Sequence, residues 1–142
     1  KMVLFSGAVA SACGVIESAV GPFYCPIDHK IYLDPVFFDE LHSRFGASGE
    51  LTPTYVIAHE VGHHVQTLLG ITRKVADLYA RSSAEGQIRL SVMVELQADC
   101  LAGGWAHHAR KKHNILSAFF SGEILNGTGD VHRDRIEKMT RD

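Results

Sequence analysis

The sequence has little of what several common protein classes require. Its three cysteines form no Cys-x-x-Cys pair, which argues against a structural zinc site of the cysteine-rich kind. A formal net charge of -2 gives no electrostatic footprint for nucleic acid. The apolar run Met2-Val3-Leu4-Phe5 is too short for a signal peptide or a membrane span. Repeats and low-complexity linkers are also missing, so residues 1–142 are expected to form one domain.

A short pattern in the middle of the chain carries the main chemical signal. His59 and His63 enclose Glu60 in the arrangement His-Glu-x-x-His. On a helix, residues at i and i+4 lie about 40° apart around the axis, so both imidazoles can reach one ion. Glu60 lies beside them and can reach a water on the metal without being a ligand itself. The pattern is typical of zinc peptidases and predicts Glu60 as the general base.

The flanking residues indicate that this pattern lies in a buried helix. Thr52-Pro53 is a typical helix start, and Gly70 is a typical helix end. Two histidines and a glutamate would be costly in a buried helix without partners, which favours a metal over a chance match on a surface helix. The apolar residues that predict burial are Val56, Ile57, Val61, Val65, Leu68 and Leu69.

A catalytic zinc takes three protein ligands and keeps one position open for water. Glu95 is the candidate third ligand, and Asp99 lies one helical turn beyond it. We expect Asp99 to accept the free ring N–H of a ligating histidine and so to fix its orientation. An ordinary solvated helix face is the alternative. The neighbouring apolar residues favour the buried role, and they are Leu90, Val92, Val94, Leu96, Leu101 and Trp105.

Several stretches of the chain resemble the bacterial family of putative neutral zinc metallopeptidases. Together they cover most of residues 3–110, and beyond that point the chain departs from the family's closing segment, to which Asn126-Gly127-Thr128 with His132-Arg133 is the nearest match. The matching stretches are Ala12-Cys13-Gly14, Gly21 to Pro26, Ile31 to Asp34, Arg44 to Ala47, Tyr55 to Gln66, and Ser91 to Ala106.

The resemblance implies an α+β, zincin-type fold in which short N-terminal strands pack on an active-site helix and on a second helix that bears a glutamate ligand. It implies a zinc-dependent endopeptidase with a peptide or protein substrate. Members of the family resemble one another in having one N-terminal anchor before an extracytoplasmic domain. We therefore expect an extracytoplasmic location, with membrane attachment only through a segment outside this chain.

Two further elements of a peptidase site can be placed by sequence. Lys30, Ile31, Tyr32 and Leu33 alternate like a short strand. Zincin folds resemble one another in holding an extended peptide on an edge strand, and these four residues are the candidate. His132 and Tyr32 are candidate donors to the oxyanion that forms at the scissile carbonyl.

Cys13 and Cys25 form the pair that could be a disulfide. A bridge between them would constrain the unfolded chain by about 3 kcal/mol and would suit an oxidising compartment. Two reduced, buried thiols are the alternative, and the sequence leaves both open.

A second function remains compatible with the same residues. The zinc could be non-catalytic, and the domain could bind a protein partner without cutting it. A fourth side chain on the metal would favour that reading, whereas a water in this position would favour catalysis.

Overall fold

The computed structural model describes residues 1–45 and 51–113. Five short strands precede four helices in this part of the chain. The mixed α+β composition agrees with the predicted class. The strands are β1 (Met2–Leu4), β2 (Ala8–Ser11), β3 (Gly14–Glu17), β4 (Phe23–Cys25) and β5 (Lys30–Leu33), and the helices are α1 (Pro35–Phe45), α2 (Leu51–Leu68), α3 (Ile71–Tyr79) and α4 (Ala84–His113). Within the described ranges, no helix is long and apolar enough to cross a membrane.

The strands form two small sheets. In the first, β5 lies between β1, to which it is parallel, and β4, to which it is antiparallel. Its Ile31, Tyr32 and Leu33 are all buried, as expected for the middle strand of a covered sheet. Phe23 of β4 stacks on Tyr32 with 4.7 Å between the ring centroids. The second sheet is the β2–β3 hairpin.

A disulfide joins the two sheets. Cys13 lies in the tight turn between β2 and β3, and it is bonded to Cys25 at the end of β4. Cys25 is fully buried. Of the two alternatives that the sequence leaves open, the structure has the bridge. It fixes the hairpin to the strand that lies against α2.

Local signals explain where the helices begin and end. Asp34 caps α1, because its Oδ1 accepts a hydrogen bond of 2.9 Å from the backbone N–H of Val36. The predicted start of α2 is slightly wrong, since the helix begins at Leu51 and includes Pro53 in its first turn, where a missing N–H costs nothing. Gly70 ends this segment with φ of 72°, in the left-handed region that glycine tolerates best.

The contact between α2 and α4 is built from small residues. Ala98 and Ala102 of α4 are fully buried. A Cβ added to Gly62 of α2 would lie 2.8 Å from the carbonyl oxygen of Ala98, so only glycine allows this approach. The prediction that large apolar side chains surround the acidic pair is wrong in part, because Leu96 and Trp105 are 54% and 47% exposed.

Part of the predicted apolar face of α2 is also exposed. Val61, Leu68 and Leu69 are 42%, 67% and 63% exposed. The helix buries its polar groups instead, with His59, Glu60 and Gln66 at 4%, 1% and 1%. A helix that buries polar side chains on its packed face requires hydrogen-bond partners for them.

Candidate metal centre

Two histidines of α2 point their ring nitrogens at one place. His59 and His63 are one turn apart on the helix, and their Nε2 atoms lie 3.1 Å from each other. The rings are nearly perpendicular, with 4.7 Å between centroids. The helical spacing seen in the sequence therefore produces two nitrogens at a common point.

Glu95 of α4 completes the group. Its Oε2 lies 3.1 Å from Nε2 of His59, and its Oε1 lies 3.5 Å from Nε2 of His63. Ligand atoms about 2.0–2.1 Å from a tetrahedral zinc are about 3.4 Å apart, so these separations match a zinc site. In the described part of the chain, these three residues form a cluster that could hold a metal ion.

The outer nitrogens of both rings have partners that fix the orientation of the rings. Nδ1 of His59 donates to Oδ1 of Asp99 at 2.8 Å. Tyr55 also donates to this carboxylate oxygen, at 3.1 Å. Asp99 thus lies in the position predicted for it, next to a candidate ligand. A neutral His59 with its proton on Nδ1 presents a lone pair at Nε2.

Gln66 orients the ring of His63 in the same way, and this role was not predicted from the sequence. Its Nε2 donates to the carbonyl oxygen of Val94 at 2.7 Å, which turns its Oε1 toward His63. Nδ1 of His63 donates to this Oε1 at 2.9 Å. The i, i+3 spacing of His63 and Gln66 was a usable signal, since such residues share a helix face.

The charge balance of the site follows from these contacts. Burial lowers the pKa of His59, but hydrogen bonds to Asp99 and Glu95 and the charge of Glu60 outweigh it and raise the pKa to about 9. Burial and the charge of Asp99 raise the pKa of Tyr55, so its hydroxyl remains a donor. The acceptors around His59 thus favour a positive charge at this position.

The donor set therefore fits zinc. Two imidazole nitrogens and one carboxylate oxygen converge, each imidazole is oriented by an outer acceptor, and the group is mostly buried. Imidazole and carboxylate together suit zinc, although the Irving–Williams order leaves other divalent ions competitive.

Glu60 faces a cavity next to this group. It is 1% exposed and lines a cavity of about 290 Å³ together with His63 and Glu95. A buried carboxylate at the wall of a cavity beside a cationic site is placed to exchange protons with a molecule inside it. The sequence predicts this separation of roles, with His59, His63 and Glu95 as ligands and Glu60 beside them.

The predicted substrate strand has a different place in the sheet. Lys30, Ile31, Tyr32 and Leu33 do form β5, but β1 and β4 pair with its two sides. The edge role is therefore wrong for these residues, because both rows of backbone groups face a partner strand. Among the described residues, β4 is the edge strand of this sheet, and it contacts α2.

Of the two predicted oxyanion donors, Tyr32 is used elsewhere in the fold. Tyr32 is 2% exposed, and its hydroxyl donates to Oδ2 of Asp28 at 2.5 Å, so the donor is used within the sheet. The hydrogen bond to Asp28 also raises the pKa of Tyr32. His132 lies outside the described residues.

Tyr24 of β4 is a cavity residue that the sequence reasoning did not assign. Its hydroxyl lies 3.0 Å from Nδ1 of His64 and 3.2 Å from Nδ1 of His29. A phenol has one proton to donate, so one of the two imidazoles donates to its oxygen. The three side chains therefore form one polar cluster beside β4.

The site and the fold together indicate a metal centre of two imidazoles and one carboxylate, and comparison with known proteins gives the family of the chain. The model of the family described as "Putative neutral zinc metallopeptidase" matches residues 1–142, so the chain belongs to this family. The predicted family is thereby confirmed.

Individual relatives extend the same result. The chain is 42% identical over 141 residues to the uncharacterized protein YpfJ of Escherichia coli (strain K12), covering 99% of this chain and 49% of the relative. It is 50% identical over 149 residues to the uncharacterized protein Rv2575 of Mycobacterium tuberculosis (strain ATCC 25618 / H37Rv), covering 98% and 49%. The chain spans about half the length of the curated relatives it matches. No solved structure matches it.

Proposed function

We propose that this chain carries the catalytic site of a zinc-dependent peptidase with a zincin-like arrangement of α2 and α4. The observation that supports this most strongly is the convergence of two imidazole Nε2 atoms and a carboxylate, 3.1–3.5 Å apart, beside a buried Glu60. His59, His63 and Glu95 are the proposed ligands. When bound, zinc lowers the pKa of a water molecule and polarises a carbonyl.

The protein's own groups have distinct tasks in this proposal. Glu60 accepts a proton from the attacking water and later delivers it to the leaving amine. Asp99 and Gln66 hold the two ligand imidazoles with their Nε2 lone pairs directed inward. Burial of Glu60 keeps bulk water from competing for the same proton.

The substrate would lie along β4 and not along β5. Phe23 and Tyr24 of this strand line the cavity that also contains Glu60, His63 and Glu95. An extended peptide can pair with an edge strand through backbone hydrogen bonds. The disulfide at the end of β4 supports our further proposal that the protein works in an oxidising, extracytoplasmic compartment.

Zinc content and peptide hydrolysis test the proposal together. Protein purified without a metal-affinity tag should contain about one zinc per chain, as expected for a site with three protein ligands. Glu95→Ala should lose most of the metal. Glu60→Gln should keep the metal and lose hydrolysis of a mixed peptide library. Glu85→Gln, at an exposed glutamate of α4, is the matched control and should change neither quantity.

Two results would contradict the assignment. A parent protein that takes up no zinc on reloading would remove the metal site altogether. Full hydrolysis by Glu60→Gln would remove the role of Glu60. A zinc-loaded parent that cleaves no peptide of the library would favour the alternative, a zinc-containing domain that binds a protein partner.

A further inference from the structure

One wall of the cavity beside the candidate metal site is apolar. The cavity has a volume of about 290 Å³, and among the described residues its apolar lining comes from β4, α3 and α4, with Pro26 following β4. Glu60, His63 and Glu95 line the same cavity. The apolar residues of the wall are Phe23, Pro26, Ile71, Val75 and Val94.

The polar side chains in the same wall are already hydrogen-bonded to the protein. Thr67 donates to the carbonyl oxygen of His63 at 3.2 Å, and the Thr67 and Thr72 hydroxyls are 3.0 Å apart. Since the Thr67 proton is used, Thr72 donates to Thr67. Neither hydroxyl therefore has a proton left to donate to a molecule in the cavity.

The remaining polar groups of the wall are also occupied. The amide of Gln66 donates to the carbonyl oxygen of Val94 and to Oε1 of Gln97, and its oxygen accepts from His63. The hydroxyl of Tyr24 lies between His29 and His64. A polar side chain entering this cavity would lose its water and would have to displace one of these bonds to regain a partner.

We infer that this wall is the subsite for an uncharged, apolar side chain of the substrate, at one of the two residues that flank the scissile bond. The inference rests on the proposed function, because the cavity is continuous with the candidate metal site. An apolar side chain gains from leaving water and breaks no hydrogen bond in the wall. Acidic side chains are further disfavoured by the carboxylates of Glu60 and Glu95.

α3 sets the shape of this subsite. Ile71 and Val75 are one turn apart and face the cavity together, whereas Leu78 is 48% exposed and is not part of the wall. The same substitution can therefore be made at Val75, which lines the cavity, and at Leu78, which lies on the surface of the same helix.

The test uses amino-acid hydroxamates, which bind a zinc site through the hydroxamate and need no turnover. Leucine and asparagine hydroxamates have side chains of nearly the same shape and differ in polarity. Calorimetric titration of the zinc-loaded protein should give at least tenfold tighter binding for leucine hydroxamate. Val75→Asp should reduce this affinity at least tenfold and should improve binding of lysine hydroxamate, with zinc content unchanged. Leu78→Asp is the control and should behave as the parent.

Equal binding of the leucine and asparagine compounds by a protein with one zinc per chain would overturn the subsite while leaving the metal site in place. Equal effects of Val75→Asp and Leu78→Asp would overturn it too. If Val75→Asp does not fold, Val75→Thr preserves the shape of the side chain and should lower the preference for leucine about threefold. A protein that binds no zinc would overturn the proposed function, and the subsite with it.

Discussion

Substitution of Gly62 by alanine tests whether the close helix crossing positions the metal ligands. The added Cβ would lie 2.8 Å from the carbonyl oxygen of Ala98 and 3.0 Å from its Cα, where ordinary contact begins at 3.4 Å. The atoms that the Cβ would meet belong to the backbone of α4 and cannot rotate away. The helices α2 and α4 must therefore separate by at least about 0.6 Å to reach ordinary contact distance. Binding constellations tolerate about 0.5 Å of displacement, so Glu95 would leave its place relative to the histidines.

The expected energies can be bounded. Overpacking costs about 1–3 kcal/mol, whereas alanine gains about 1 kcal/mol over glycine in a helix interior. The free energy of unfolding of the metal-free protein should therefore fall by up to about 2 kcal/mol in urea denaturation. Zinc affinity, measured by competition with a chelator, should fall tenfold or more. Mutation of a residue that orients a metal ligand typically has an effect of this size.

Gly103→Ala supplies the control for helix propensity. Among the described residues, an added Cβ at Gly103 of α4 meets no atom within 4 Å outside the helix's own backbone, so this variant should be more stable by up to about 1 kcal/mol and should bind zinc as the parent does. If Gly62→Ala gains the same stability and retains the parent's zinc affinity, the close crossing does not position the ligands and the reasoning is refuted.

Three other predictions concern the surroundings of the site. Gln66→Met removes the acceptor for Nδ1 of His63 and should lower zinc affinity about 10–100-fold by chelator competition; Glu85→Met, at an exposed position of α4, should change it little. The pKa of His59, raised to about 9 from 6.5 in the metal-free protein, makes stability from its hydrogen bonds fully present below pH 6.5 and lost as the pH rises to 9. Because zinc must displace this proton, zinc affinity should rise by up to about tenfold per pH unit across that window, and a flat profile would exclude His59 as a ligand. Breaking the disulfide with Cys25→Ala should lower the free energy of unfolding by about 3 kcal/mol in urea, and a loss below 1 kcal/mol would show that the bridge constrains little.

The local parts of the site were predictable from sequence because they depend on helical periodicity. The i, i+4 spacings of His59 with His63 and of Glu95 with Asp99 determine which side chains share a face. Sequence spacing does not determine which two faces meet. The crossing depends on Gly62 and Ala98, which are small residues with no chemical signal of their own.

The sheet was less predictable, since strand order depends on long-range pairing. The alternation in Lys30 to Leu33 identifies a strand but not its neighbours, and β1 pairs with it across 29 residues. The sequence therefore predicts β5 as the edge strand, whereas β4 is the edge strand within residues 1–45 and 51–113. Likewise, the sequence does not show that the hydroxyl of Tyr32 donates a hydrogen bond to Asp28 in the folded protein.

The position of α3 has a consequence for how the protein responds to its metal. Glu95 and His59 are 36 residues apart, and a metal between them would close a loop that contains all of α3. Closing a loop of this length removes conformational entropy from every segment inside it. Metal loading and the order of the helix that bears Ile71 and Val75 are then linked thermodynamically. Each should strengthen the other, so a ligand seated against α3 would slow the loss of zinc to a chelator.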